Sequence, residues 1–125
     1  MKTKKKIIIC ICSRKFNRDL LNLLDSISKN IYPKRINIEV LIVINNPIKI
    51  SSTQKRKIKQ SLKNILFVVL NESSVGISNA RNKCLNYLKS ADFDYGCYLD
   101  DDCFVKNDYL KNNLDFIKKN NCDVV

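Results

Sequence analysis

The chain contains no histidine and no tryptophan, and only two glycines, Gly76 and Gly96. Each shortage excludes some chemistry. Without histidine there is no Ser-His-Asp or Cys-His nucleophile system. Two isolated glycines make neither a P-loop nor a Gly-rich dinucleotide fingerprint. Six cysteines are present, but none forms a C-x-x-C pair, which with the missing histidine argues against a zinc site. Cys10, Cys12, Cys84, Cys97, Cys103 and Cys122 read mainly as small buried hydrophobes, with a disulfide or redox role as the minority reading. No apolar run approaches the ~20 residues that cross a bilayer. The longest, 7–12 and 65–70, are strand-sized.

Acidic residues are also scarce. Twelve Asp and Glu face 23 Lys and Arg, a net charge of +11. Such an excess favours anionic partners: phosphates, nucleic acid or anionic lipid head groups. Most of the basic residues are dispersed, and a genome rich in Lys, Asn and Ile codons explains the overall charge as well as a partner does. Clusters occur at Lys2, Lys4, Lys5 and Lys6 and at Lys55, Arg56, Lys57 and Lys59. Residues 1–6 read as a basic tail before a first strand. The stretch resembles a signal peptide but has no small-residue cleavage site, so the cytoplasm is the expected location.

Hydrophobic periodicity predicts alternating strands and helices. Residues 7–12 and 36–44 are β-branched runs typical of strands buried on both faces. Between them Leu20, Leu23, Leu24 and Ile27 form one helical stripe, with Asn17 or Asp19 as its N-cap. Ser51 or Ser52 caps a basic helix carrying Ile58 and Leu62. Strands are predicted at 65–70 and 95–99, around a helix that turns Ile77, Ala80, Cys84, Leu85 and Leu88 inward. Asn107 is the expected cap of a last helix with Leu110, Leu114 and Ile117. Residues 122–125 would begin a fifth strand. Four such alternations signal an α/β fold, a mostly parallel sheet with helices on both faces. The abrupt end suggests a domain incomplete at its C-terminus.

In such sheets ligands bind outside the carboxyl ends of the strands. The loops at 13–18, 45–51 and 100–106 should therefore converge. The last holds Asp100, Asp101 and Asp102. If the strand continued through them, Asp100 and Asp102 would share one side and Asp101 would face the other. Two carboxylates at a rigid strand end suit Mg2+ or Mn2+, which take one or two carboxylates and leave positions for substrate phosphates. The plain reading, a solvated acidic turn, stands beside it. A second feature is "SVGISNARN" (74–82): Gly76 permits a tight turn, a helix N-terminus follows, and Arg81 can hold a phosphate bidentately. Together these parts point to a metal-bound diphosphate.

The segments "ICICSRKFNRDLLNLLDSI", "IEVLIVINNP", "GISNARNKCL" and "YLDDDCFV", in this order, resemble the family 2 glycosyltransferases with a Rossmann-like GT-A fold. The resemblance covers residues 7–125 and implies the nucleotide-sugar-binding portion of such a domain. It implies that Asp100 and Asp102 are the D-x-D pair on the metal, with Asp100 also near the ribose. It likewise sets Arg81 near the diphosphate and Ser13 at the start of the loop walling the nucleoside. Where the family usually carries an aspartate near the base, this chain has Ile44 or Asn45. Asn45 is the candidate contact to the base. Family members continue past residue 125 into the acceptor site and its general base. Asp101 and Asp123 have no support for that role, so the catalytic base stays unassigned and the chain alone is expected to lack transfer activity.

The function implied is transfer of a hexose or related sugar from a nucleoside-diphosphate donor to a hydroxyl on a glycan, lipid or other acceptor. Peripheral association with an anionic membrane at its inner face is a further expectation, and specific nucleic-acid binding is not expected. Two other classes stay open. One is a metal-dependent nucleotidyltransferase, although "SRKFNRD" lacks the glycine its first loop should carry. The other is a non-enzymatic basic module for nucleic acid or anionic membrane, although the Lys55–Lys63 patch lacks interleaved aromatics.

Overall fold

The computed structural model describes residues 4–33 and 35–124. Four strands, β1 (Lys5–Ser13), β2 (Ile36–Ile44), β3 (Leu66–Asn71) and β4 (Tyr95–Asp100), alternate with four helices. The helices are α1 (Arg18–Ser28), α2 (Ser52–Leu62), α3 (Ile77–Ser90) and α4 (Tyr109–Asn120). The sheet is wholly parallel, in the order β3-β2-β1-β4. The chain thus winds outward from β1 to β3, then returns to the far side of β1. That reversal puts a switch point between β1 and β4, because the return connection through α3 runs on the face opposite α1 and α2.

The packing explains the order. β1 is bonded to a neighbour along both edges, so both its faces must be apolar, and Ile7 to Ile11 are all buried. On one face Ile7, Ile9, Ile11, Val40 and Ile42 meet Leu20, Leu24 and Ile27 of α1, Ile58 and Leu62 of α2, and Leu110 and Leu114 of α4. On the other, Ile8, Cys10, Leu41 and Val43 meet Ala80 and Cys84 of α3. Each fully buried Leu or Ile contributes about 1.5–3 kcal/mol. Right-handed crossovers require this split, because α3 alone lies in the return connection.

Local signals set most boundaries. Asn17 caps α1 by accepting the Leu20 N–H, and Ser51 and Gln54 form a reciprocal capping box on α2. Several expectations need correction. α4 starts one residue later than predicted, with Asp108 rather than Asn107 as its N-cap, and the Asp108 side chain makes no capping bond. Ile77 and Leu85 of α3 are exposed, because a single helix covers this face of the sheet and only its Ala80–Cys84 ridge reaches the strands. Lys5 and Lys6 belong to β1, where Lys6 pairs with Glu39 at 3.1 Å, so the basic tail is shorter than the charge run. Residues 122–124 form no strand; Asn121 closes α4 in the left-handed region, and Asp123 and Val124 line a groove of about 450 Å³ along β4 without pairing to it. A segment this short makes too few ladder bonds to hold an edge by itself. Val125 lies outside the described residues.

One buried polar side chain ties α1 to the approach of α4. Asn30 is 7% exposed, donates to the Lys106 carbonyl at 2.9 Å and accepts the Leu110 N–H at 3.1 Å. Asn30→Ala leaves the buried Leu110 N–H without a partner, while the Lys106 carbonyl keeps the Tyr109 N–H, a loss of about 1–3 kcal/mol at most. The expected result in urea unfolding is a lower midpoint with an unchanged slope. An unchanged midpoint would show that water replaces the amide.

Candidate functional site

The carboxyl ends of the strands carry a continuous set of hydrogen bonds that joins all four loops. From β1 to β2, the Asn45 N–H donates to the Ser13 carbonyl at 2.7 Å, and Asn46 Nδ2 donates to the Arg14 carbonyl at 3.0 Å. From β2 to β3, Asn71 Nδ2 donates to the Asn46 carbonyl at 2.9 Å. From β1 to β4, the Ser13 hydroxyl lies 2.6 Å from Asp101 Oδ2 and 2.8 Å from the Lys15 carbonyl, its one proton shared between these acceptors. The predicted convergence of the loops after β1, β2 and β4 is thus present, with the loop before α3 added to it.

Asn45 is the hub. It is 4% exposed, and its amide is committed on three sides. Nδ2 donates to the carbonyls of Glu72 at 3.1 Å and Ser74 at 2.8 Å, and Oδ1 accepts the Gly76 N–H at 2.8 Å. Both amide hydrogens are therefore used in shaping the loop ahead of α3. One Oδ1 lone pair is all that its side chain has left to offer a base. Gly76 sits at φ +143°, a conformation L side chains rarely adopt, and it is the residue immediately before α3. The Asn45–Gly76 bond thus aims the first turn of α3, with its free N–H groups and positive dipole end, at the crevice.

A cavity of about 290 Å³ opens there, lined by Cys12, Ser13, Arg14, Asn45, Gly76 and Ala80 among others. The larger groove along β4 and α4 shares no residue with it. The Cys12 thiol is raised above its usual range, first by its hydrogen bond with Cys84 and then by burial, while Arg81 opposes the rise and Asp101 adds to it. Arg81 and Asp101 are thus both near enough to Cys12 for their charges to act on it. Cys12 and Asp100 are register partners in the parallel β1–β4 pair, so Asp100 leaves the sheet on the face that carries α3 and Arg81.

The strand does not run on through all three aspartates. β4 ends at Asp100, and the chain turns, with the Cys103 N–H donating to the Asp100 carbonyl at 3.2 Å. Asp100 and Asp102 are exposed at the two ends of this turn, while Asp101 is drawn inward to Ser13. Among the described residues no three His, Cys, Asp or Glu side chains converge as a complete metal cage. Two hard carboxylates on one turn supply part of an oxygen sphere, which suits Mg2+ or Mn2+ when phosphate oxygens complete it. The residues present fit such an ion, shared with a phosphorylated ligand, and do not fit zinc.

Asp101 is the site residue that sequence reasoning left without a role. Its signal was Ser13, which comes opposite Asp101 once Cys12 is paired with Asp100. Only the strand order reveals that pairing. Among the described residues, no helix is long and apolar enough to cross a membrane.

Comparison with known proteins agrees with this architecture. The model of the family described as "Glycosyl transferase family 2" matches residues 6–125. No curated protein sequence matches the chain. Two crystal structures of S. aureus TarS share its fold. One is 21% identical with a TM-score of 0.65, covering 95% of this chain and 20% of that one. The other, TarS 1-349, is 22% identical with a TM-score of 0.64, covering 91% of this chain and 32% of that one. The chain therefore spans only a fifth to a third of the solved proteins it is similar to. A parallel α/β sheet with its loops gathered at the β1–β4 switch point, matched by the family model over nearly its whole length, makes this chain a member of glycosyl transferase family 2.

Proposed function

We propose that the chain is the donor-binding portion of a sugar-transferring enzyme. It holds a nucleoside-diphosphate sugar, and the complete protein passes the sugar to a hydroxyl on a glycan, lipid or other acceptor. The observation that carries this reading is the junction at the carboxyl ends of the strands, where Ser13 holds the acidic turn and Asn45 holds the loop before α3 beside one small cavity.

In this reading Asp100 and Asp102 hold Mn2+ or Mg2+, and Asp100 also lies near the ribose. The ion, when bound, would offset the charge that grows on the diphosphate leaving group. Arg81 and the α3 N-terminus bind the same diphosphate from the opposite side, where preorganised charge favours the separated state. Ser13 and Arg14 line the wall for the nucleoside. Asn45 shapes that wall through Gly76 and offers a base its one remaining lone pair. Asp101 is a positioning residue: by accepting the Ser13 hydroxyl it holds the acidic turn against β1. The general base is assigned to no residue of this chain. The uniformly basic outer face of α2, with Lys55, Arg56, Lys57 and Lys59, supports peripheral contact with an anionic membrane.

Calorimetry of the 125-residue chain with UDP and GDP, with and without Mn2+, tests the donor site. Metal-dependent binding is expected, weakened roughly 10- to 100-fold in Asp100→Ala/Asp102→Ala through loss of charge-assisted contacts. Binding that ignores both metal and mutation would remove the assignment.

The Ser13–Asp101 contact makes a separate prediction. Asp101→Ala should lower Mn2+ affinity in the presence of nucleotide by about 10- to 100-fold, the usual cost of losing an outer support of a ligand. Ser13→Ala should do the same, whereas Asp101→Asn keeps the acceptor oxygen and most of the affinity. If Asn behaves like Ala, a charge and not a positioning bond is what the site needs.

For the membrane, the protein should cosediment with phosphatidylglycerol vesicles at low salt and be released at about 0.5 M salt, where screening is short-ranged. Failure to pellet, or pelleting unchanged when Lys55, Arg56, Lys57 and Lys59 become glutamine, removes this part of the proposal.

A further inference from the structure

Beneath the same cavity lies a cluster of thiols that sugar transfer does not use. Cys12 of β1 and Cys84 of α3 stand with their sulfurs 3.6 Å apart, although 72 residues separate them in sequence. Cys84 is buried, while Cys12 is half-buried and lines the cavity. Cys10 lies on the same face, and its influence together with burial raises the Cys84 thiol to about 12. A disulfide needs its sulfurs at about 2.05 Å. The gap is thus roughly 1.5 Å, within reach of small side-chain rotations. Fillers of a core need only match a volume. This pair also sets a half-buried sulfur beside a hidden one, so that an adduct on the first can be resolved by the second, slowly because the Cys12 thiol is held above its usual range.

We propose that Cys12 and Cys84 form a reversible disulfide beneath the donor cavity, with a low-molecular-weight disulfide such as oxidised glutathione as the oxidant. The Cys12 sulfur attacks one sulfur of oxidised glutathione. The S–S bond breaks, one glutathione leaves and takes up the proton from Cys12, and the other stays on Cys12 as a mixed disulfide. The Cys84 sulfur then attacks the Cys12 sulfur, and the second glutathione leaves with the proton from Cys84. The protein loses two electrons and two protons, and the oxidant becomes two thiols. The bridge pins α3 to β1 one turn beyond Arg81, so the oxidation state of the pair bears on the helix that carries the diphosphate contact. That last link, unlike the disulfide itself, rests on the donor-site reading.

The full chain is incubated with oxidised glutathione, quenched with an alkylating agent and mapped by peptide mass spectrometry, without and with UDP and Mn2+. The expected product is a peptide cross-linked between Cys12 and Cys84 within one chain, reversed by dithiothreitol. Cys84→Ala should stop at the glutathione adduct on Cys12. Because Cys84→Ala opens a small void, its folding is checked by circular dichroism, and Cys12→Ser on the half-buried partner must abolish both products independently. A cross-link through Cys10, a link between chains, or an unmodified Cys12 in Cys84→Ala overturns the proposal. Bound UDP should slow adduct formation on Cys12. An unchanged rate with UDP shown to be bound refutes the placement beneath the cavity. If UDP fails to bind while the cross-link forms, the donor reading falls and the disulfide stands.

Discussion

Everything in this molecule depends on β1 being paired along both edges. A central parallel strand must bury both faces, and residues 7–11 do so without interruption. Because β2 takes one edge and β4 the other, the return connection crosses the face of the sheet opposite α1, α2 and α4, so the loop before α3 meets the ends of β1 and β2 from that side. The crevice there follows from connectivity and handedness, before any functional side chain is considered. What the side chains add is rigidity: Ser13 to Asp101 across one side, Asn45 and Asn46 across the other.

The site is therefore built mainly by amides and a hydroxyl that touch backbone. Asn45 illustrates the economy. A neutral side chain with two donors and one acceptor satisfies two carbonyls and one N–H, and so holds Gly76 in a conformation that turns the chain into α3. An aspartate there could accept the Gly76 N–H but not donate to Glu72 and Ser74. Asparagine in place of the aspartate that the resemblance implies thus has a local physical meaning: here the position serves the loop first. Charge is kept for residues near the same strand ends, Arg81 on α3 and the aspartates that follow β4.

Much was legible in the chain itself. The strands announced themselves as short continuous β-branched runs and the helices through a 3.6-residue apolar period, and Asn17 and Ser51 marked helix starts because their side chains can reach a backbone N–H two or three residues on. Prediction failed where burial depends on what lies opposite. Ile77 and Leu85 are apolar on an amphipathic helix, yet exposed, since nothing covers that flank of α3. Residues 122–124 have strand-like composition but no ladder. The D-D-D run was read as extended because a sequence carries no sign of the turn that closes on Asp100.

The sequence by itself determined the α/β alternation, the apolar faces, the absence of histidine chemistry and the residues able to meet a diphosphate and a hard cation. These depend on side-chain type and local period. Only the tertiary structure decided that β4 returns to the open edge of β1. That one adjacency opposes Ser13 to Asp101 and gathers Cys12, Asp100 and Arg81 on one face. It also brings α3 back over β1, setting Cys12 against Cys84. Such contacts join residues 72 to 88 positions apart. They exist because the sheet closes both edges of its most hydrophobic strand, a requirement of packing that no short stretch of the chain can express.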